Sequence, residues 1–218
     1  MKSTPKTLLF LNALSSEQLH DFNQDHFLIV KCNPLIETKP LDFDAHQLDT
    51  NLPWVFTSRS AVEAVKSIPL SKKIYAIGKQ TAEGLSNTIL PQKSTATDLA
   101  KLIIENNEKK VIFICGNKRR EDLPEYLKSF NVEVKEVHVY QTINLNKTLN
   151  LHSVDGLAFM SPSAVYSLSE NNGFNGLPCF AIGPTTAKAL NNEGQDCIIS
   201  NNTDARSIVE VAREYFNR

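Results

Sequence analysis

The sequence predicts an α/β protein of two related parallel-sheet lobes, one inserted in the other and joined by a two-stranded hinge. Three observations carry this. First, short apolar runs alternate with helical patterns, the mark of parallel strands covered by helices on both faces. Second, part of the chain occurs twice. Val55-Phe-Thr-Ser-Arg-Ser-Ala-Val62 resembles Ala158-Phe-Met-Ser-Pro-Ser-Ala-Val165, and Tyr75-Ala-Ile-Gly-Lys-Gln-Thr-Ala82 resembles Phe180-Ala-Ile-Gly-Pro-Thr-Thr-Ala187. Ala96-Thr-Asp-Leu-Ala100 has a looser echo in Asn202-Thr-Asp-Ala-Arg206. The matches keep one order and an offset of about 105 positions, a domain-sized period rather than a solenoid repeat. Third, the second copy lacks strands before it while two strands stand unclaimed at the N-terminus. The simplest threading puts residues 1–30 with 146–218 in one lobe and residues 41–136 in the inserted lobe. Residues 31–40 and 137–145 then form the two crossings, a hinge beside a cleft.

Taken in chain order, Thr7 to Leu11 reads as a strand. Lys2 and Lys6 before Leu8-Leu-Phe-Leu11 faintly imitate a signal peptide, but the run is too short and Asn12 interrupts it. Ser15 to Phe22 is a short helix and Phe27 to Val30 a strand. In the first copy, strands at Trp54–Phe56 and Lys73–Ile77 precede helical patterns at Ala61–Val65 and Thr81–Leu85. Asp98 to Ile104 is a helix, Val111 to Ile114 a buried strand, and Arg120 to Phe130 a helix that tolerates Pro124 in its first turn. Val132 to Val139 alternates apolar and polar residues, as a half-exposed strand does. In the second copy, strands at Val154–Met160, Cys179–Ile182 and Cys197–Ile199 precede helices that begin near Ser163, Thr186 and Asp204.

Composition narrows the function classes. The 218 residues are 41% hydrophobic and 22% charged with a formal net charge of -1, ordinary for a globular protein and lacking the basic excess of a dedicated nucleic-acid binder. No stretch approaches the ~20 apolar residues of a membrane span. Cys32, Cys115, Cys179 and Cys197 form no CxxC pair, so they read as reduced, mostly buried thiols. His20, His26, His46, His138 and His152 are scattered, which supports neither a metal site nor a Ser-His-Asp triad. There is no GxGxxG, Walker A or GxSxG signature.

The chemistry is expected where strands end, because parallel sheets bind ligands beyond their strand C-termini. Thr57-Ser58, Gly78, Gly116, Ser161 and Gly183 all follow strands and precede helices. Such turns offer N–H groups and the positive end of a helix dipole to an anion; the competing reading is that each is only an N-cap. Cys115-Gly-Asn-Lys-Arg-Arg-Glu-Asp-Leu-Pro124 is the densest segment. Lys118, Arg119 and Arg120 at a helix start oppose its dipole, which an anionic ligand would explain; Glu121 and Asp122 balancing a solvated face is the other explanation. Tyr140, in His138-Val-Tyr-Gln-Thr142, lies on the second crossing, where a phenol could reach the cleft or simply mark a domain boundary.

Together these segments resemble the uroporphyrinogen-III synthase family. The resemblance rests on Thr57-Ser58 with Ala61-Val62, Cys115-Gly-Asn117 with Arg120-Glu121, Val139-Tyr-Gln-Thr142, Ser161-Pro-Ser163 and Ile182-Gly-Pro-Thr-Thr-Ala187, in family order across almost the whole chain. It implies two flavodoxin-like parallel-sheet lobes on a two-stranded β-ladder hinge. It also implies a cofactor-free, metal-free lyase that closes the octacarboxylate hydroxymethylbilane into uroporphyrinogen III with inversion of its last ring. Tyr140 matches the family's cleft tyrosine. Thr57, Ser58, Arg59, Gly78, Lys79, Gly116, Asn117 and Arg120 would meet substrate from one lobe, and Ser161, Ser163, Thr185 and Thr186 from the other. Asn12-Ala13 departs from the family pattern where many bacterial members carry an arginine, and Arg59 offers a substitute cation. The reduced cysteines point to a cytoplasmic protein and the lack of a heptad or long exposed apolar edge makes a monomer the default. Charge and hydropathy leave no nucleic-acid or membrane partner, and a transient contact with hydroxymethylbilane synthase is expected. A non-catalytic tetrapyrrole-binding module, a two-lobed small-molecule receptor and a nucleotide binder are the competing function classes.

Overall fold

A computed structural model describes residues 4–24 and 27–217. Lys2 and His26 lie outside the described residues. The chain forms β1 (Lys6–Phe10), α1 (Ser16–Phe22), β2 (Leu28–Cys32), β3 (Ile36–Pro40), β4 (Trp54–Phe56), α2 (Arg59–Val65), β5 (Ile74–Ala76), α3 (Lys79–Ala82) and β6 (Thr88–Ile89). It continues with α4 (Ala96–Glu105), β7 (Lys110–Gly116), α5 (Asp122–Ser129), β8 (Glu133–Asn144), β9 (Gly156–Phe159), α6 (Pro162–Asn171), β10 (Cys179–Ala181), α7 (Pro184–Asn192), β11 (Cys197–Ile199) and α8 (Ala205–Phe216). No described helix is long and apolar enough to cross a membrane.

The chain divides into two compact units. One holds the described residues up to Glu37 and from Ile143 onward; the other holds Thr38–Thr142. Both divisions fall inside strands, β3 and β8, which are neighbours in one sheet.

The first unit carries a five-stranded sheet in the order β11-β10-β9-β1-β2, with each neighbouring pair parallel. The second carries a six-stranded sheet in the order β3-β8-β7-β4-β5-β6, and its β4, β5, β6, β7 and β8 pair in parallel. The repeated segments place β4, β5 and β6 against β9, β10 and β11. Read through that equivalence, β8-β7-β4-β5-β6 is the same spatial order as β2-β1-β9-β10-β11. The lobes are therefore one architecture with the chain cut at a different loop.

Both sheets bury both faces, as their uninterrupted apolar runs require. Trp54 and Phe56 enter one core cluster while Val55 enters the cluster on the opposite face. In the other sheet Leu9 and Leu11 face one cluster, Leu8 and Phe10 the other. The period of two in side-chain direction accounts for this split. Helix α8 covers its sheet with Ala205, Ile208, Val209 and Ala212, a stripe at helical spacing. Helices end where the chain can turn left-handed: after α4 and α5 at Asn107 (φ 58) and Asn131 (φ 59), after α6 and α7 at Gly173 (φ 68) and Gly194 (φ 71).

One local expectation is corrected. The helix expected from Arg120 begins at Asp122, with Asp122 and Glu125 in its first turn. Lys118, Arg119 and Arg120 stand in the preceding turn, and Arg120 pairs with Asp122 in the first turn of the helix. The acidic first turn, favourable at a helix N-terminus, sets the start.

Candidate functional site

Chain order locates the site region of each lobe. A strand order that runs one way and then the other opens a crevice at the switch, beyond the strand C-termini. In the inserted lobe the switch lies between β4 and β7; in the other it lies between β1 and β9. The residues that follow these strands are Thr57-Ser58 and Asn117 in one, Asn12 and Ser161 in the other.

In the inserted lobe Ser58 leaves β4 in extended conformation and caps α2, its Oγ accepting the Ala61 N–H at 3.3 Å. The same Oγ accepts the phenolic O–H of Tyr140 at 2.9 Å. Tyr140 is aimed there by a bulge. The register of β7 with β8 passes from Cys115↔His138 to Gly116↔Tyr140, so β8 spends an extra residue, Val139. Strict alternation would turn Tyr140 away from the cluster that Val137 and Val139 enter; the bulge returns it to that cluster. Gly116 makes the space, since a Cβ there would lie 2.4 Å from Cε2 and Cζ of the tyrosine ring. Asn117 ties the turn to β8: its N–H donates to the Tyr140 carbonyl at 3.1 Å and its Oδ1 accepts the Thr142 N–H at 3.0 Å. Burial raises the Tyr140 pKa above that of a free phenol, the Ser58 hydrogen bond lowers it in part, and the nearby Cys115 adds to the rise.

The cations in this lobe are mostly engaged. Arg119 pairs with Glu136 and Glu121, which raises its own pKa. It braces the turn against β8, so of the two explanations for the cation cluster the structure shows charge balance for Arg119, with Glu136 joining Glu121. Arg120 pairs with Asp122 at 2.7 Å and Arg59 with Glu83 at 3.0 Å, both at the surface, where such pairs exchange readily for another anion. Lys79 and Lys118 are exposed. Gly78 caps α3 without a side chain, and a Cβ there would meet the Ser94 hydroxyl at 2.5 Å.

Cys115, Glu136 and His138 are the described residues whose chemistry could hold a metal ion, their ligand atoms lying within 4.8 Å of one another. The Arg119 guanidinium already occupies the Glu136 carboxylate. Burial, then the Glu136 charge, push the Cys115 thiol up to about 12, with Arg119 pulling slightly the other way. The cluster is thus built as an ion pair beside a neutral thiol.

In the other lobe Ser161 repeats the geometry of Ser58. It caps α6 by accepting the Ala164 N–H at 3.4 Å. Its Oγ also accepts from Asn12 Nδ2 at 2.9 Å, while Asn12 Oδ1 accepts the Met160 N–H at 2.7 Å. Asn12, the position that departed from the family pattern, therefore joins the ends of β1 and β9 across the switch point. Nothing in its sequence context signals this, since β1 and β9 meet only in the folded sheet. Ser163 stands in the first turn of α6, half-buried. Gly183 caps α7 without a side chain; Thr185 is exposed, and Thr186 is 2% exposed, its side chain turned into the core. At this helix start Thr185 can present its side chain to a ligand and Thr186 only its N–H.

A surface hollow of about 430 Å³ is bounded by Leu149, Leu151, His152, Val154, Asn175 and Leu177. These residues precede β9 and β10, so the hollow opens at the N-terminal strand edge, opposite Ser161 and Gly183, and no lysine or arginine lines it.

Comparison with known proteins gives one answer. The family model described as uroporphyrinogen-III synthase HemD matches residues 18–210. A uroporphyrinogen-III synthase of Saccharomyces cerevisiae is 25% identical over 183 residues, covering 69% of this chain and 66% of its own length. The match thus spans just under two thirds of that relative. A crystal structure of a mutant uroporphyrinogen III synthase from the extremely thermophilic bacterium Thermus thermophilus superposes with a TM-score of 0.68 at 15% identity, covering 97% of this chain and 98% of the other. The synthetase from Helicobacter pylori gives 0.61 at 18% identity, covering 96% and 99%. The two structures share this fold.

Proposed function

The chain belongs to the uroporphyrinogen-III synthase family, and from that premise we propose that it closes hydroxymethylbilane into uroporphyrinogen III with inversion of the last ring and loss of water. The observation that carries the reading is the Tyr140–Ser58 pair at a switch point, seated by Gly116 and tied by Asn117. A phenol held with its O–H engaged is suited to a reaction that must protonate a departing hydroxyl and then handle a cation.

Loss of the hydroxyl leaves a cationic azafulvene. Attack by the substituted carbon of the terminal ring gives a spiro intermediate, and fragmentation with re-closure inverts that ring. The linear substrate also closes unaided, without inversion, so the enzyme's task is chiefly to fold the chain for the correct attack. Positioning of that kind contributes up to roughly 7–11 kcal/mol in favourable cases. Tyr140 assists departure of the hydroxyl. Thr57, Ser58, Gly78, Lys79, Gly116 and Asn117 with Arg59 and Arg120 serve the substrate in the inserted lobe, and Ser161, Ser163, Thr185 and the Thr186 N–H in the other. The eight carboxylates are met by many N–H groups and a few exchangeable surface cations, so no single cation dominates. The reading includes a cytoplasmic monomer that receives its substrate from hydroxymethylbilane synthase in transient contact.

The test is an isomer assay. Hydroxymethylbilane is generated in situ, the purified protein is added without cofactor, and the oxidised products are separated by chromatography. A dominant isomer III is expected. Isomer I alone from a folded protein would overturn the catalytic reading in favour of a tetrapyrrole-binding module.

A further inference from the structure

The two switch points present the same hydroxyl in two different settings. A serine hydroxyl has two acceptor positions and one proton to donate. At Ser58 both acceptor positions are filled, by the Ala61 N–H at 3.3 Å and the Tyr140 O–H at 2.9 Å. At Ser161 both are filled as well, by the Ala164 N–H at 3.4 Å and an Asn12 amide N–H at 2.9 Å. Each serine can therefore approach a ligand only as a donor, with its own proton foremost. Both are half-buried at the C-terminal edge of their sheet.

What stands behind each serine differs. Tyr140 is itself a proton donor, so a proton leaving Ser58 can be replaced from the phenol. The Asn12 amide keeps its protons, so Ser161 can lend a hydrogen bond and no more. Resting on the synthase reading, we propose that Ser58 is the residue that protonates the departing hydroxyl of hydroxymethylbilane, with Tyr140 resupplying it from behind, whereas Ser161 is a hydrogen-bonding contact only. The step balances. The bond from the terminal methylene carbon to its hydroxyl oxygen breaks, the electron pair stays on oxygen, and that oxygen takes the Ser58 proton and leaves as water. Ser58 takes the Tyr140 proton. The pyrrole carbon that forms the final ring bond sheds a proton on regaining aromaticity, and this proton returns to Tyr140.

Geometry favours this route over direct donation by Tyr140. The ring is confined by the Gly116 hollow, and its O–H already points at Ser58. A phenol is a far stronger acid than a serine hydroxyl, so the two transfers occur together as water departs, without a serine alkoxide, and the negative charge left on Tyr140 offsets the azafulvene cation until the ring proton returns. Two donors into one oxygen also polarise the Ser58 O–H and strengthen it as a donor.

The test compares isomer III formation by Ser58→Ala, Ser58→Thr, Ser58→Asn, Ser161→Ala, Tyr140→Phe and the Ser58→Ala/Tyr140→Phe double variant. It adds rates of the unsubstituted protein in H₂O–D₂O mixtures. Ser58→Ala and Tyr140→Phe should each lower kcat within the ~10²–10⁴-fold range of general acid catalysis, and the double variant should be no slower than the worse single one. Ser58→Thr should recover most of the rate. Ser58→Asn, which keeps a helix cap but no hydroxyl, should stay slow, separating the chemical role from the structural one. Ser161→Ala should act mainly on KM, with kcat falling less than tenfold. The solvent isotope dependence should be curved, as two protons in flight require. A fast Ser58→Asn beside a slow Tyr140→Phe, or a linear isotope dependence, would overturn the relay while leaving the synthase reading intact. Isomer I alone from the unsubstituted protein would remove that reading itself.

Discussion

Adding one methyl group at Gly116 is the sharpest perturbation of the Tyr140 seat. The backbone there is not left-handed, so alanine carries no conformational strain of its own. The whole cost comes from the tyrosine ring. The new Cβ would sit 2.4 Å from Cε2 and Cζ and 2.9 Å from Cδ2, where ordinary contact begins at 3.4 Å. The ring must withdraw by about 1 Å to restore ordinary contact. That displacement breaks the 2.9 Å bond to Ser58. A misplacement of about 1 Å in a positioned catalytic group costs on the order of 10²-fold in rate. Overpacking a buried site costs about 1–3 kcal/mol. Gly116→Ala should therefore lower kcat by about 10²-fold and the denaturation midpoint modestly. The chromatographic isomer assay reads the first and urea unfolding the second. The diagnostic is the comparison with Tyr140→Phe: combining the two substitutions should cost little more than either alone, because both remove the same hydroxyl from its place. A Gly116→Ala protein that folds and turns over at the unsubstituted rate would refute the argument that this glycine exists to seat the ring.

Other outcomes follow from the same geometry. Asn12→Ala removes the acceptor of the Met160 N–H and a donor to Ser161, so stability should fall by about 1–3 kcal/mol, measured by denaturant titration; no change would mean that Asn12 does not hold the switch point. Asp155 accepts the Thr7 N–H at 2.8 Å and pairs with Lys6 at 2.9 Å; burial alone would raise its pKa, but these contacts outweigh it and the net shift is downward. A depressed folded pKa gives stability that is complete above the unfolded value of ~3.9 and is lost as pH falls through the folded value. Asp155→Asn should flatten that acid limb of the stability profile, and an unchanged limb would remove Asp155 from the account. With their thiols pushed up to about 12 by burial, Cys115 and Cys179 should resist alkylation at pH 8 in the native protein and react in urea; equal rates in both states would show the burial to be wrong.

Much of this protein is legible in its residues. Uninterrupted apolar runs such as Trp54–Phe56 and Val111–Ile114 declare strands buried on both faces, and Cys197–Ile199 emerges with the bounds its pattern suggests. The repeat at a domain-sized offset declares two lobes of one design. The serines after β4 and β9 stand where the duplicated motif put them. Local chemistry carries this information because side-chain period, capping and turn preference act within a few residues.

Other features depend on residues far apart in the chain. The two-residue strand β6 has too little pattern of its own and exists because Ile74 and Tyr75 pair with Thr88 and Ile89. The cation cluster reads equally as a ligand site or a charge-balanced turn until the fold brings Glu136, 17 residues away, onto Arg119. Asn12 reads as a departure from a pattern until β1 is laid beside β9 and its amide meets Ser161, 149 residues away. The sequence by itself determined the two-lobed α/β design and which turns carry hydroxyls and glycines. Only the tertiary structure decided which of those hydroxyls has a phenol behind it, because hydrogen-bond partners across parallel strands are set by sheet order and register, which no local pattern encodes.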